Sequence, residues 1–186
     1  MATQYYFLIS SLPLLRFGVT PFLSSARFLE LVAEQAGQAL AEQLAAVSLA
    51  PEEPGRFAAE RFWYGMETHI RNYLLRARSQ KTTQVDRWRR PEKDVFPSLD
   101  HQLHKALGAP NPLERERQLD AIRWELLDEP LIGENFSVDA LVVYRLRLLI
   151  AEKWQAFSSD QGREVLNALV DQAREEARRV RTLVEP

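Results

Sequence analysis

Hydrophobic and polar positions repeat at helical spacing along most of this chain. The clearest case is RFWYGMETHIRNYLLRAR, Arg61 to Arg78. At about 100° per residue, Ala59, Phe62, Trp63, Met66, Ile70, Tyr73, Leu74 and Ala77 share one broad face. Tyr64, Thr68 and Leu75 form a narrower second strip, flanked by Arg71 and Asn72. A helix with two apolar strips meets two neighbours. Either both belong to one helical core, or the second strip receives a partner protein. Glu67 and Arg71 stand four apart with the acid first, the favourable order for an ion pair along the helix.

Proline clusters divide the rest into helical blocks. The opening YYFLISSLPLL, Tyr5 to Leu15, is apolar. It lacks a basic leading segment and is interrupted by Pro13, so Tyr5 to Ser11 is read as a buried short strand or first helical turn rather than an export signal. Ser24 or Ser25 is placed to cap a helix running to about Val47, with Phe28, Leu29, Leu31, Val32, Gln35, Ala36, Ala39, Leu40 and Leu44 on its apolar side. PEEPG at Pro51 to Gly55 ends that block. After the two-strip helix, Ser79 to Pro97 carries no helical stripe and forms the longest irregular segment. A short helix over Ser98 to Leu107 follows, then one from about Leu113 to Leu127 burying Leu119, Ile122, Leu126 and Leu127. Ser137 or Asn135 caps a central apolar helix, Val138 to Phe157. Its Arg145 and Glu152 lie along an apolar stripe and require an internal ion network, with Lys153 or neighbouring helices, or a partner. A charged helix with a Glu175–Arg179 pair runs from about Arg163 to the end. β-Alternation is absent beyond the first dozen residues. The expected fold is all-α: one domain over residues 1–186, a bundle of about six to seven helices, with 79–97 as the place where two lobes would divide.

Composition narrows the function. The 186 residues are 46% hydrophobic and 27% charged, enough for a proper core and typical of a globular chain. Net charge is −2, which argues against a dedicated nucleic-acid binder and makes any basic site local. No cysteine exists, so disulfides and thiolate metal sites are excluded. No segment approaches the roughly 20 apolar residues of a membrane span. A cytoplasmic location fits these features.

The search for chemistry finds little. His101 and His104 stand three apart beside Asp100, a minimal metal-binding spacing, yet no third ligand is indicated and packing histidines are the default. His69 has no acid–base partner in the sequence. Nucleophile elbows, phosphate loops and dinucleotide motifs are absent. No catalytic residue, metal or cofactor is expected, and the chain is read as a non-enzyme. The strongest non-helical signal is basic: Arg71, Arg76, Arg78, Lys81, Arg87, Arg89 and Arg90 face a single acid, Asp86, with Trp88 among the last three. Such a loop can stack and neutralise a nucleic-acid strand, meet an acidic protein surface, or fold its Trp back on the core.

Two segments carry a resemblance. The opening YYFLISSLP with its following helix is similar to the start of an uncharacterised bacterial family, domain of unknown function 2764, and Asn111 to Trp124 and Leu141 to Glu164 resemble its later helices. That family is typically encoded among subunits of bacterial V-type (A/V-type) ATPases. Met66 to Lys81, METHIRNYLLRARSQK, resembles a pattern of the central-stalk C subunit (the d subunit of eukaryotes) of those ATPases. Ile70, Arg71, Leu75, Arg76 and Ala77 keep the pattern, and Asn72 is displaced from it. The resemblance implies an all-helical, non-catalytic stalk or accessory component, contacting other V-type ATPase subunits and meeting the membrane only through the complex. The residues expected at the contact are Tyr64, Leu75 and Arg76 on the second strip and Arg87, Trp88, Arg89 and Arg90 on the basic loop. The alternative is a helical adaptor that binds nucleic acid through residues 71–90.

Overall fold

The computed structural model of the chain describes residues 5–79, 85–94 and 96–157. Within them lie seven α-helices and no strand: α1 (Tyr6–Ser11), α2 (Ser25–Ala36), α3 (Gln38–Ala45), α4 (Ala58–Arg78), α5 (Pro97–Leu107), α6 (Pro112–Leu126) and α7 (Val138–Ala156). Short 3-10 turns stand at Val85–Trp88 and Glu129–Leu131. The fold is all-α. The chain divides into Met1–Ala151 and Glu152–Pro186. Of the second unit the described residues are the last turn of α7 and Phe157, where Lys153 lies over the Trp154 ring at 5.8 Å and the Trp154 and Phe157 rings are 5.7 Å apart. The charged helix expected from Arg163 lies outside the described residues.

Local signals set most helix starts. Ser24 Oγ accepts from the Arg27 amide at 3.2 Å and Asn111 Oδ1 from the Glu114 amide at 2.8 Å, satisfying donors that the first helical turn leaves open. At α7, Ser137 Oγ accepts from the Asp139 amide at 3.2 Å. The start of α4 is satisfied from two directions. Glu60 reaches back to the amides of Arg56 and Phe57, and Asp139 of α7 accepts from the Ala59 amide at 2.7 Å. That last bond joins helices eighty residues apart in sequence through the donor end of one and a first-turn acid of the other.

Three expectations are corrected. The single helix from Ser24 to Val47 is two, because Gly37 adopts φ 98° and ends the first with its amide on the Val32 and Ala33 carbonyls. The break resets the phase, so Ala41 is buried where Ala39 was expected, and Gln35 is exposed. Of Tyr5 to Ser11, Tyr6–Ser11 forms a helix, but only Leu8 is buried; Phe7 is 85% exposed, since six residues present a single inward position here. Glu67 does not pair with Arg71. Both its oxygens go to Arg123 of α6, Nε to Oε1 at 2.6 Å and Nη2 to Oε2 at 3.1 Å, while Arg71 stays exposed. A two-point guanidinium–carboxylate bond in a half-buried setting wins over a solvated pair on one helix face.

The core of the first unit gathers Phe28, Leu44, Trp63, Met66, Ile70, Leu99, Leu103, Leu127, Leu141, Leu146, Leu148 and Ile150, all essentially inaccessible. α2 packs on α3, α5 bridges α4 and α6, and α7 supplies buried residues on nearly every side. Arg145 is buried within α7. Arg123 carries Glu67 and Asp120 on its guanidinium. Burial opposes its charge, but Glu67 and then Asp120 outweigh that and hold it protonated well above the ordinary arginine range.

Tyr144 of α7 donates its hydroxyl to the Pro13 carbonyl at 3.0 Å, pinning the chain after α1. Burial pushes its phenol up to about 12, from an ordinary value near 10. In the unfolded chain the phenol ionises first. The stabilising, neutral phenol is therefore present below pH ~10 and lost as pH rises toward ~12. Urea unfolding midpoints should fall more between pH 9 and pH 11.5 for the native chain than for Tyr144→Phe. Equal falls would mean that Tyr144 does not contribute to the alkaline loss.

Candidate functional site

The Tyr64–Thr68 part of the second strip of α4 lies beside the chain's own residues Arg90 to Asp94 and Phe96, here called the strap. The strap is held by a buried amide. Asn72 Nδ2 donates to the Arg90 carbonyl at 2.9 Å and Asn72 Oδ1 accepts from the Arg90 amide at 3.0 Å. One side chain thus satisfies both backbone groups of one residue, as a neighbouring strand would. Arg90 then donates through Nη1 to the Pro51 carbonyl at 2.9 Å and lays its guanidinium over the Tyr64 ring at 5.9 Å.

The next residues are fixed by charge and by space. His69 is 8% exposed and lies between two carboxylates: Nδ1 is 3.1 Å from Glu92 Oε1, and Nε2 is 2.7 Å from Asp100 Oδ1. Glu92 belongs to the strap and Asp100 to α5, so one imidazole ties three segments. Gly65 has a related role. A Cβ there would meet the Asp94 carboxylate, the end of an exposed side chain, so the glycine leaves room for that carboxylate against α4. The Phe96 ring closes the far end, edge-on to Phe62 at 5.8 Å and to His69 at 5.7 Å.

The expected contact residues therefore separate. Tyr64 and Arg90 are brought together, but on each other. Leu75 is half-buried further along α4, and Arg76 is exposed with its guanidinium 6.0 Å from the Tyr73 ring. Arg87, Trp88 and Arg89 are exposed on and beside the 3-10 turn. Trp88 is 62% exposed with the Arg87 guanidinium over its ring at 5.8 Å, and Arg89 pairs with Glu92 at 3.1 Å. Trp88 has not folded back on the core. Lys81 lies outside the described residues.

Asn72, His69, Gly65, Glu92 and Asp94 were not singled out from the sequence as a strap site. Gly65 carried a signal, because a glycine inside a helix costs about 1 kcal/mol against alanine and so marks a close approach. Asn72 in mid-helix carried another, as a short amide that needs partners if buried. The partners themselves lie 18 to 31 residues away and left no local trace.

For chemistry, His101 and His104 are both exposed on α5. Among the described residues no group of three or more His, Cys, Asp or Glu is arranged to hold a metal ion. At His69 the two carboxylates approach opposite ring nitrogens and do not converge on one point. No helix among the described residues is long and apolar enough to cross a membrane. Between α4 and the strap opens a cleft of about 900 Å³.

Residues 93–177 match the profile of a family described as a protein of unknown function, DUF2764. The matched stretch starts in the strap and contains α5, α6 and α7. Over those residues the chain is similar to that family, whose description names no activity, partner or complex. No curated protein matches the chain. No solved structure matches it.

Replacing Asn72 tests the strap's anchor. Asn72→Ala removes two buried hydrogen bonds and should cost about 2–3 kcal/mol in urea unfolding. Asn72→Asp keeps the shape but sets a carboxylate oxygen against the Arg90 carbonyl, and should cost at least as much. An aspartate variant as stable as the native chain would show that the amide is not the anchor.

Proposed function

We propose that this chain is a non-catalytic subunit or accessory factor of a bacterial V-type ATPase, working in the cytoplasm through protein–protein contacts and meeting the membrane only through the complex. The observation that carries the contact reading is the turn Arg87–Trp88–Arg89, which holds a large exposed aromatic with the Arg87 guanidinium over its ring. Arg and Trp are favoured anchors of protein interfaces, and a tryptophan left in water costs free energy that a partner recovers. The ATPase assignment rests on the resemblance of Met66 to Lys81 to the central-stalk C subunit and on the association of the uncharacterised family with those ATPases.

A second surface supports the same kind of role. Phe7, Leu14, Phe22 and Ile132 are all exposed, and Phe22 is 92% so. Tyr6 packs against Phe7 at 5.7 Å and Phe136 at 4.7 Å, making an aromatic cluster at the surface. Exposed apolar groups in this number are what a subunit offers to neighbours.

The test uses Arg87→Glu, Trp88→Ala and Arg89→Glu together. Arg90 is left in place because its backbone and guanidinium hold the strap. Affinity purification of the native chain from its host should recover ATPase subunits in fixed ratio. The triple variant should lose at least about tenfold of that recovery, about 1.4 kcal/mol, with its helical circular dichroism unchanged. Recovery of the native chain without ATPase subunits overturns the assignment, and co-elution with RNA would favour the nucleic-acid adaptor. An undiminished complex with the variant would take the interface away from this turn.

A further inference from the structure

The cleft beside the strap has a composition that the strap's own packing does not require. Its volume of about 900 Å³ lies within the range of roughly 300–1,000 Å³ typical of small-molecule sites. Phe62, Tyr64 and Phe96 supply aromatic walls, and Arg61 and Lys93 line it as exposed cations. Phe62 and Phe96 meet edge to face at 5.8 Å and form one aromatic wall of the cleft. Arg61 gives one bond to the Arg56 carbonyl at 2.5 Å, and a guanidinium has five donors.

Thr68 also lines the cleft. It is 1% exposed, yet its hydroxyl has no hydrogen-bond partner. A buried hydroxyl without a partner costs on the order of 1–3 kcal/mol, and valine would fill the same space without that cost. Beside it, Gly65 leaves a notch in α4 in which the Asp94 carboxylate lies. The chain's own acid thus shows that the notch admits a carboxylate-sized group, in a cleft that Thr68, Arg61 and Lys93 also line.

From this arrangement we infer that the cleft is a binding site for a small anionic ligand bearing an aromatic ring, such as an aromatic carboxylate, sulfonate or phosphate. The ring packs against the aromatic wall of Phe62 and Phe96. The anionic group is held by Arg61 and Lys93, and it takes the Thr68 hydroxyl proton as a hydrogen bond. Asp94 competes with it for the notch. The site uses none of Arg87, Trp88 or Arg89 and stands apart from the partner-binding reading.

The probe is 8-anilinonaphthalene-1-sulfonate, which combines rings with one sulfonate and fluoresces on leaving water. The full chain should bind it at one saturable site with Kd on the order of 10 µM. Arg61→Glu combined with Lys93→Glu, both at exposed positions, should weaken binding at least about tenfold. Thr68→Val should weaken it about threefold without loss of thermal stability, and Asp94→Asn should tighten it. The uncharged analogue N-phenyl-1-naphthylamine should bind at least about tenfold more weakly than the sulfonate. Dye also adheres to exposed apolar surface, so Phe7→Ser with Phe22→Ser serves as the control and should leave the site intact. Non-saturable binding by the native chain, or equal affinity for the uncharged analogue, would overturn the inference. So would a signal abolished by the phenylalanine pair or indifferent to the charge reversals.

Discussion

A buried side-chain amide requires partners for both its donor and its acceptor, and Asn72 finds both on the backbone of Arg90. Much of the organisation around α4 depends on that pair of bonds. Once Arg90 is fixed, its guanidinium lies on Tyr64 and reaches Pro51, Glu92 comes within reach of His69, and Asp94 settles against Gly65. The same bonds set the outward direction of the residues just before Arg90. Trp88 is exposed beside a segment whose other end is tightly held.

α4 is organised by polar contacts as much as by its apolar face. Glu67, His69 and Asn72 occupy neighbouring positions, and each is matched by a different segment: α6, the strap with α5, and the strap alone. Charged groups gain little net stability from such pairing, because desolvation offsets much of the attraction. Their effect is to make mispaired arrangements costly. A slip of the strap by one residue would take Glu92 from the His69 ring and break the Asn72 amide's match with Arg90 inside a low-dielectric setting.

What remains exposed is therefore selective. Part of the second strip of α4, which reads as a place for another protein, is occupied by the chain's own Arg90 over Tyr64. The apolar surface that stays open lies instead on Phe7, Leu14, Phe22 and Ile132, and the cationic surface lies on Arg87 and Arg89 with Trp88 between them. These are the exposed groups on which the proposed partner contacts rest. The cleft is of another kind, concave and mixed in polarity, and suits a small ligand.

Periodicity determined the helical class of the chain and located α4, α5, α6 and α7 closely, because each buries residues that recur at helical spacing. Ser24 and Ser137 act at helix starts as their chemistry dictates. The break at Gly37 was not legible, because a lone glycine in a continuous apolar pattern is compatible with an unbroken helix until its φ is known. The exposure of Phe7 was not legible either, since composition marks a residue as apolar without saying which neighbour covers it. Of the expected contact residues, Arg87, Trp88 and Arg89 stand exposed, whereas Arg90 and Tyr64 face each other. Only the tertiary structure decided those partners, along with Arg123 for Glu67 and Glu92 and Asp100 for His69. The physical reason is common to all of them. Helical spacing fixes which side of a segment needs covering, but a hydrogen bond or ion pair between distant segments depends on where the whole chain brings them.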